Sequence, residues 1–346
     1  MPDPVITRAI DAAASGRDLT ADEAAEVLAI IMAGEASETQ IAGLLIALRA
    51  KGETISELAG LARTMRSFAT PVRTARDELV DTAGTGGGRA TFNVSTTAAL
   101  IAAGAGCAVA KHGNRSATSR SGSADVLEAL GVRIDLTPEA VGRCIDDVGF
   151  GFMFAPSHHQ ATRFVIPVRK ELAVRTIFNF LGPLTNPAGA KRQVIGVSDP
   201  AYLQTMAGAL ALLGVRRALV VSSEDALDEL SIAAPTTVVE VNGADIATYT
   251  LRPEDVGLAT SPDPDATAGG SPQDNAATTR AILAGERGPR RDIAVLNAGA
   301  AIYAAGRADD LAAGVAVAQA ALDDGAVART LDALVAHTQE LGAPAL

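Results

Sequence analysis

Four stretches of this 346-residue chain hold residue types that could do chemistry. The first is the cluster Gly84-Thr85-Gly86-Gly87-Gly88, followed by Thr91-Phe92-Asn93-Val94-Ser95-Thr96. Such a loop presents several backbone N–H groups to a phosphate, and a helix opening after it adds a favourable dipole. Alone, the cluster reads more readily as an ordinary turn. It is not a dinucleotide fingerprint, because Arg89 stands where the third glycine belongs, nor a P-loop, because no Gly-Lys-Ser/Thr occurs. The second stretch is Lys111-His112-Gly113-Asn114-Arg115-Ser116, with three cations and no acid from Lys111 to Arg120. At the end of an apolar strand it forms a positive patch suited to a phosphorylated small molecule, or else a solvated basic loop. Ser119, Ser121, Gly122 and Ser123 follow as a second polar approach to a helix.

The third stretch is Leu227-Asp228-Glu229-Leu230. Adjacent carboxylates past a strand hold Mg²⁺ when a substrate's phosphates supply the other oxygens, although acidic pairs are also common on exposed loops. The fourth runs from Pro167 to Thr176, where Arg169 either pairs bidentately with a carboxylate or is a helix-surface cation. Other chemistries score poorly. His158 and His159 are adjacent and would point apart on a helix, and there is no His-Glu-x-x-His for zinc or Gly-x-Ser-x-Gly for a hydrolase. Cys107 and Cys144 both fall in apolar patterns and read as core residues.

The elements that must position these residues change character along the chain. Before residue 70, Thr20, Ser37 and Thr54 each precede Glu or Gln by three positions, and Gly16, Gly34 and Gly52 fall where helices should stop. This region is expected to be all-α. After Pro71, β-type runs at 79–81, 107–110, 132–135, 151–154, 194–197 and 218–222 alternate with helical runs at 125–130, 138–148 and 201–213. That alternation predicts βαβ units and a mostly parallel sheet flanked by helices. Residues 237–241 and 246–250 about Asn242-Gly243 predict a hairpin, 261–273 a loop, and the remainder helices. The fold class is α/β, with a small all-α domain and a larger α/β domain.

Bulk composition narrows the partners. With 29 Lys and Arg against 40 Asp and Glu the net charge is −11, which argues against nucleic acid or an anionic membrane. The apolar run 98–110 is shorter than the roughly 18 residues of a spanning helix, and Met1-Pro2-Asp3-Pro4 lacks signal-peptide character. Two cysteines provide no disulfide framework, so the expectation is a cytoplasmic, reducing-compartment protein.

In order, these stretches resemble the anthranilate phosphoribosyltransferase family over almost the whole chain. Lys111-His112-Gly113-Asn114-Arg115 and Gly182-Pro183-Leu184-Thr185-Asn186-Pro187 are the most telling segments. The resemblance implies a helical domain over 1–72 with an excursion near 158–182, and a phosphoribosyl pyrophosphate (PRPP) domain over 73–346. It implies transfer from PRPP to anthranilate in tryptophan biosynthesis, Mg²⁺ bound with PRPP at two ions per subunit, and a homodimer through the helical domain. Gly84, Gly87, Gly88, Thr91, Asn93, Val94, Ser95, Thr96, Lys111, His112, Gly113, Asn114, Arg115, Ser119 and Ser123 would bind PRPP. Ser95, Asp228 and Glu229 would hold metal, while Gly84, Asn114, Pro156, His159 and Arg169 would hold anthranilate, with His112 beside its access channel. Lys111, His112 and Arg169 would carry catalysis, His112 as a candidate base.

The chain departs from the family's pattern at several points. Gly88-Arg89-Ala90 lacks the family's acid and is one residue short, and Gln160 stands where Pro is common. Ala173 and Ala226 stand where Gly is common. The competing expectations are a pyrimidine nucleoside phosphorylase of the same fold, a paralogue using another aromatic amine, and a non-catalytic relative.

Overall fold

The computed structural model describes residues 2–116 and 120–342. Four helices come first: α1 (Pro4–Ala14), α2 (Ala21–Ala33), α3 (Glu38–Lys51) and α4 (Ile55–Ser67). Thr20 with Glu23 and Thr54 with Glu57 form complete capping boxes at the starts of α2 and α4. The box expected at Ser37 is only half made. Ser37 caps the Gln40 N–H, but the Gln40 amide is turned to Asp3, accepting from its N–H at 3.1 Å and donating to its carbonyl at 2.9 Å. The side chain that would close the box therefore ties α1 to α3 instead.

The α/β part then runs β1 (Leu79–Gly84), α5 (Val94–Gly104), β2 (Ala108–Gly113), α6 (Ser123–Ala129), α7 (Pro138–Val148) and β3 (Phe150–Phe154). A helical excursion follows: α8 (Ala155–His158), a 3-10 turn (Gln160–Phe164), α9 (Ile166–Leu172) and α10 (Phe178–Leu184). The chain returns through β4 (Arg192–Gly196), α11 (Leu203–Leu212), β5 (Arg217–Ser223), β6 (Thr236–Asn242) and β7 (Asp245–Leu251). It closes with α12 (Pro272–Leu283), α13 (Pro289–Ala304), α14 (Leu311–Asp323) and α15 (Ala326–Leu341).

Strand order is β3-β2-β1-β4-β5-β6-β7, parallel from β3 to β5 and antiparallel at β6 and β7. The chain winds outward from β1 through β2 to β3, then returns to the other side of β1 with β4. A crevice at the carboxyl ends of β1 and β4 is where such sheets bind ligands. Along β5, Leu219 and Val221 join the core under α5, α13, α14 and α15, whereas Ala218 and Val220 face α11. That second core runs on into α1–α4 and takes in Val165, Val168, Phe178 and Leu181 of the excursion.

Two local expectations change. Residues 132–135 are not a strand: Val132 and Ile134 are buried, but the Arg133 N–H bonds the Thr338 hydroxyl at 3.1 Å, and Arg133 pairs outward with Asp135. Alternating burial without a neighbouring ladder produced the strand-like pattern. The hairpin turn is Gly243-Ala244, one residue later than expected, because Asn242 pairs with Asp245.

Candidate active site

The Gly84 end of β1 pairs with Gly196 of β4, placing the glycine cluster at the crevice. Both positions require glycine for close approach. A Cβ on Gly196 would lie 1.5 Å from the Asp228 carbonyl, and one on Gly84 would lie 2.8 Å from the Asp228 carboxylate. Gly88 would likewise meet Asp228 Oδ1 at 2.6 Å. Asp228 therefore lies inside the loop, where its Oδ2 accepts the Gly86 N–H at 3.0 Å. Burial raises its pKa.

Glu229 sits at the N-terminus of α5, accepting from the Ser95 backbone and from Thr91 Oγ1 at 3.2 Å. Burial, then repulsion from Asp228, pushes its pKa up to about 8. Two crowded carboxylates that strain against ionisation are a fitting donor pair for a hard divalent cation. Among the described residues no three His, Cys, Asp or Glu side chains gather into a metal cage. Asp228, Glu229 and the Ser95 hydroxyl thus fit Mg²⁺ only when a ligand contributes further oxygens.

The Lys-His segment is part of β2 rather than a loop beyond it, and this overturns the expected positive patch. Lys111 is buried, and its Nζ donates to the Thr82 carbonyl at 2.5 Å and to Thr82 Oγ1 at 3.1 Å, with Ser95 Oγ at 3.5 Å. Desolvation lowers its pKa to about 8. Arg115 is turned outward to Asp125 and Glu128. Two of the three cations are thus already engaged within the protein. Asn114 is exposed; Gly113 lies against Phe152 and Ser123, the first residue of α6. Ser119 lies outside the described residues.

Asn93 anchors the far side of the glycine loop, donating to the Ser121 carbonyl at 3.0 Å and accepting from Ser121 Oγ and Asn275 Nδ2 at 2.9 Å. Val94 and Thr96 are buried in the first turn of α5, and Thr96 Oγ1 has no partner.

The excursion supplies the other wall. Arg169, on α9, is half-buried with its guanidinium over Phe178, and no hydrogen bond or ion pair engages that group among the described residues. Burial lowers its pKa. His112 and His159 lie with ring centroids 5.0 Å apart. His112 Nδ1 faces the Gly182 carbonyl at 3.2 Å, while Nε2 of both rings is buried without a partner. Desolvation first, and then repulsion among the histidines, pushes His112 down to about 3 and His159 to about 4, so both are neutral at pH 7. Pro156, in α8, is exposed.

Three further residues support the site; the sequence marks Asn186 only within its motif and Arg175 only as a cation, and gives Asp81 no role. Asp81, fully buried in β1, accepts the His112 N–H at 3.1 Å and the Asn186 amide at 2.8 Å. Asn186 also donates to the Ala110 carbonyl at 2.8 Å, so the Asn-Pro motif fixes the strand that bears Lys111 and His112. Arg175 donates to Ser198 Oγ at 2.8 Å and the Gly86 carbonyl at 3.2 Å, joining the excursion to the glycine loop. A lone Asp in an apolar strand gave the only prior sign of Asp81.

The sequence matches two family models, the glycosyl transferase family helical bundle domain over residues 7–69 and its α/β domain over 76–328. The anthranilate phosphoribosyltransferase of Moorella thermoacetica is 52% identical over 95% of this chain and 97% of its own length. The chain belongs to the anthranilate phosphoribosyltransferase family. The family's crystal structure from Thermus thermophilus superposes with a TM-score of 0.91 at 49% identity, covering 96% of this chain and 99% of that one. The Saccharomyces cerevisiae enzyme, in complex with PRPP and Mg, superposes with a TM-score of 0.89 at 25% identity, over 98% and 99% of the two chains. Against the family's pattern, Ala173 and Ala226 now have a physical meaning: both adopt positive φ, 51° and 64°, where a glycine would be unstrained.

Proposed function

We propose that this cleft transfers the phosphoribosyl group of PRPP to the amine of anthranilate, giving N-(5-phosphoribosyl)anthranilate and pyrophosphate, a step of tryptophan biosynthesis. The observation that carries the PRPP half is Asp228, its carboxylate seated within a phosphate-type glycine loop where Gly84 and Gly88 make room for it, while Gly196 of β4 admits its backbone. Breaking the C1–oxygen bond leaves positive character on ribose and negative charge on pyrophosphate. Mg²⁺ on Asp228, Glu229 and Ser95 would neutralise the leaving group. The glycine-loop amides would hold its oxygens, and the dipole of the α5 N-terminus would favour the negative charge.

Arg169 supports the anthranilate half: it is a half-buried guanidinium with no acid partner, suited to a carboxylate. An aromatic amine attacks without first losing a proton, so positioning outweighs basicity. His112 is a poor base with its pKa near 3, and in this reading the two neutral imidazoles wall the aromatic ring. Lys111 acts from below, through Ser95 and Thr82. The Mg²⁺ count of two per subunit belongs to the same reading, as does PRPP contact by Asn114, Arg115 and Ser123 through backbone or rearranged side chains.

A division at residues 72 and 73, with the excursion counted in the helical part, is supported by the shared core of α9 and α10 with α1–α4. Ile46, Ile166 and Val174 are exposed there, which supports a homodimer through this part. Two buried free cysteines accord with the cytoplasm, and no single described helix is long and apolar enough to cross a membrane.

Loss of anthranilate fluorescence on adding PRPP and Mg²⁺ tests the reaction directly. No turnover, with phosphorolysis of uridine or thymidine instead, would replace this reading by the phosphorylase one. Turnover only with a different aromatic amine would mark a specialised paralogue, and silence in every assay a non-catalytic relative.

A further inference from the structure

Arg89, just past the glycine cluster, grips two other loops. Its Nη2 meets Asp225 Oδ2 at 2.9 Å, its Nε faces the Asp225 carbonyl at 3.4 Å, and its Nη1 donates to the Pro264 carbonyl at 2.6 Å. The Arg89 N–H donates to the Ala226 carbonyl at 2.8 Å. The ion pair is largely shielded, with side chains 24% and 15% exposed. Asp225 is committed beyond Arg89, since its carboxylate also accepts from the Ser223 and Ser231 hydroxyls.

What this clamp encloses is a strained turn. Ala226 has φ of 64°, a left-handed conformation that costs a residue with a Cβ roughly 1–2 kcal/mol. Its N–H is held by the Ser223 carbonyl at 3.1 Å and its C=O by the backbone N–H of Arg89, so the side chain acts on this turn through Asp225. Two residues on, the same turn delivers Asp228 into the gap left by Gly84 and Gly88. The Pro264 side of the clamp belongs to a segment that also underlies the loop: Phe92 N–H bonds the Thr267 carbonyl at 3.1 Å, and a Cβ on Gly269 would strike the Thr91 carbonyl at 2.3 Å.

We propose that Arg89 is a positioning residue, whose guanidinium, by gripping Asp225 and Pro264, holds the turn that aims Asp228 into the glycine loop. The Arg89 guanidinium is committed to Asp225 and Pro264, and its role in this reading is to act through them. The inference rests on the PRPP and Mg²⁺ reading of that loop and names the device that preorganises it. A lysine could not replace it, because a single ammonium cannot span both loops as the planar guanidinium does.

The test is Mn²⁺ binding followed by electron paramagnetic resonance in the presence of PRPP, alongside steady-state constants for both substrates. Arg89→Ala should weaken Mn²⁺ binding and raise KM for PRPP by about tenfold, the scale of one lost charge-assisted contact. Its KM for anthranilate should stay within about twofold, because Arg169 lies on a different element. Arg89→Lys should recover little. Ala226→Gly, added to Arg89→Ala, should restore part of the lost Mn²⁺ affinity by relieving the positive φ. If Arg89→Ala does not fold, Arg89→Lys and Asp225→Asn serve for the same comparison. Failure of the wild type to bind Mn²⁺ with PRPP would overturn the PRPP reading itself. With the wild type binding, unchanged constants in the variants, or equal losses for both substrates, would overturn the role of Arg89.

Discussion

The two walls of the cleft are built on opposite plans. On the glycine-loop wall, most polar groups already have protein partners: Asp228 holds Gly86, Glu229 holds Thr91 and Ser95, and Asn93 holds Ser121 and Asn275. On the wall formed by the excursion together with His112 of β2 the reverse holds. Arg169 has no acid, and His112 and His159 each bury an Nε2 with nothing bonded to it. Buried polar atoms left without partners cost free energy, so a fold retains them where a ligand completes them. The first wall is tied in place by the protein itself; in the proposed reading the second is finished by the substrate.

The largest consequence concerns the tied wall. Asp228→Ala removes a carboxylate from the loop and the acceptor of the Gly86 N–H together. The expected fall in kcat/KM is roughly a thousandfold, as for loss of a preorganised electrostatic group. Fluorescence kinetics at saturating Mg²⁺ measure it. A loss smaller than about tenfold would put the pyrophosphate elsewhere and erase the contrast between the walls.

On the open wall the effect should be selective. Arg169→Ala is expected to raise KM for anthranilate by roughly 10- to 150-fold, corresponding to about 1.5–3 kcal/mol for a hydrogen bond to a charged group. KM for PRPP should hardly move. The melting temperature should fall only slightly, because in the free enzyme Arg169 packs over Phe178 but completes no hydrogen bond or ion pair among the described residues. Equal changes in both constants would show that Arg169 is structural, like the residues opposite.

Much of the tied wall was legible in the sequence, because its signal is compositional: glycines where backbones approach, acids beside them. The helix boundaries before residue 70 were legible for a similar reason, since caps and stops are local. Charge was harder to read. Lys111 to Arg120 looked like an exposed positive patch, but β2 runs three residues further than the apolar run and buries Lys111, while Arg115 turns to acids 10 and 13 positions away. Pairing across that distance leaves no mark on a short window. Residues 132–135 misled for a related reason: alternation reports burial on one side, not the presence of a neighbouring strand. Asn186 could be recognised only as part of a motif, because its partner Asp81 is 105 residues away.

That partnership gives the next test. Asn186→Ala leaves Asp81 with one fewer donor inside the core and frees the β2 carbonyl at Ala110. A loss of about 1–3 kcal/mol is expected, the cost of unsatisfied buried groups. Calorimetry should show a clearly lower melting temperature, whereas Arg169→Ala should change it little. A melting temperature equal to that of the wild type would mean that the motif does not fasten the strand.

The last test separates the walls by pH, and at neutral pH its effect vanishes. His112 and His159 are held neutral in the folded protein, with pKa values near 3 and 4 against an ordinary value of 6.5. Below pH 6.5 the unfolded chain takes up protons that these rings refuse, so their contribution to stability is complete above 6.5 and falls as the pH drops toward 4. Each contributes up to about 1.4 kcal/mol per pH unit within that window. His159→Phe removes one such proton, and stability should then decline less steeply between pH 6.5 and 4 in urea titrations. The slope is the readout, because the added ring volume shifts absolute stability without acquiring a proton. Parallel slopes in variant and wild type would mean that His159 is solvated and protonates normally, and the excursion wall would lose one of the two unsatisfied nitrogens that distinguish it.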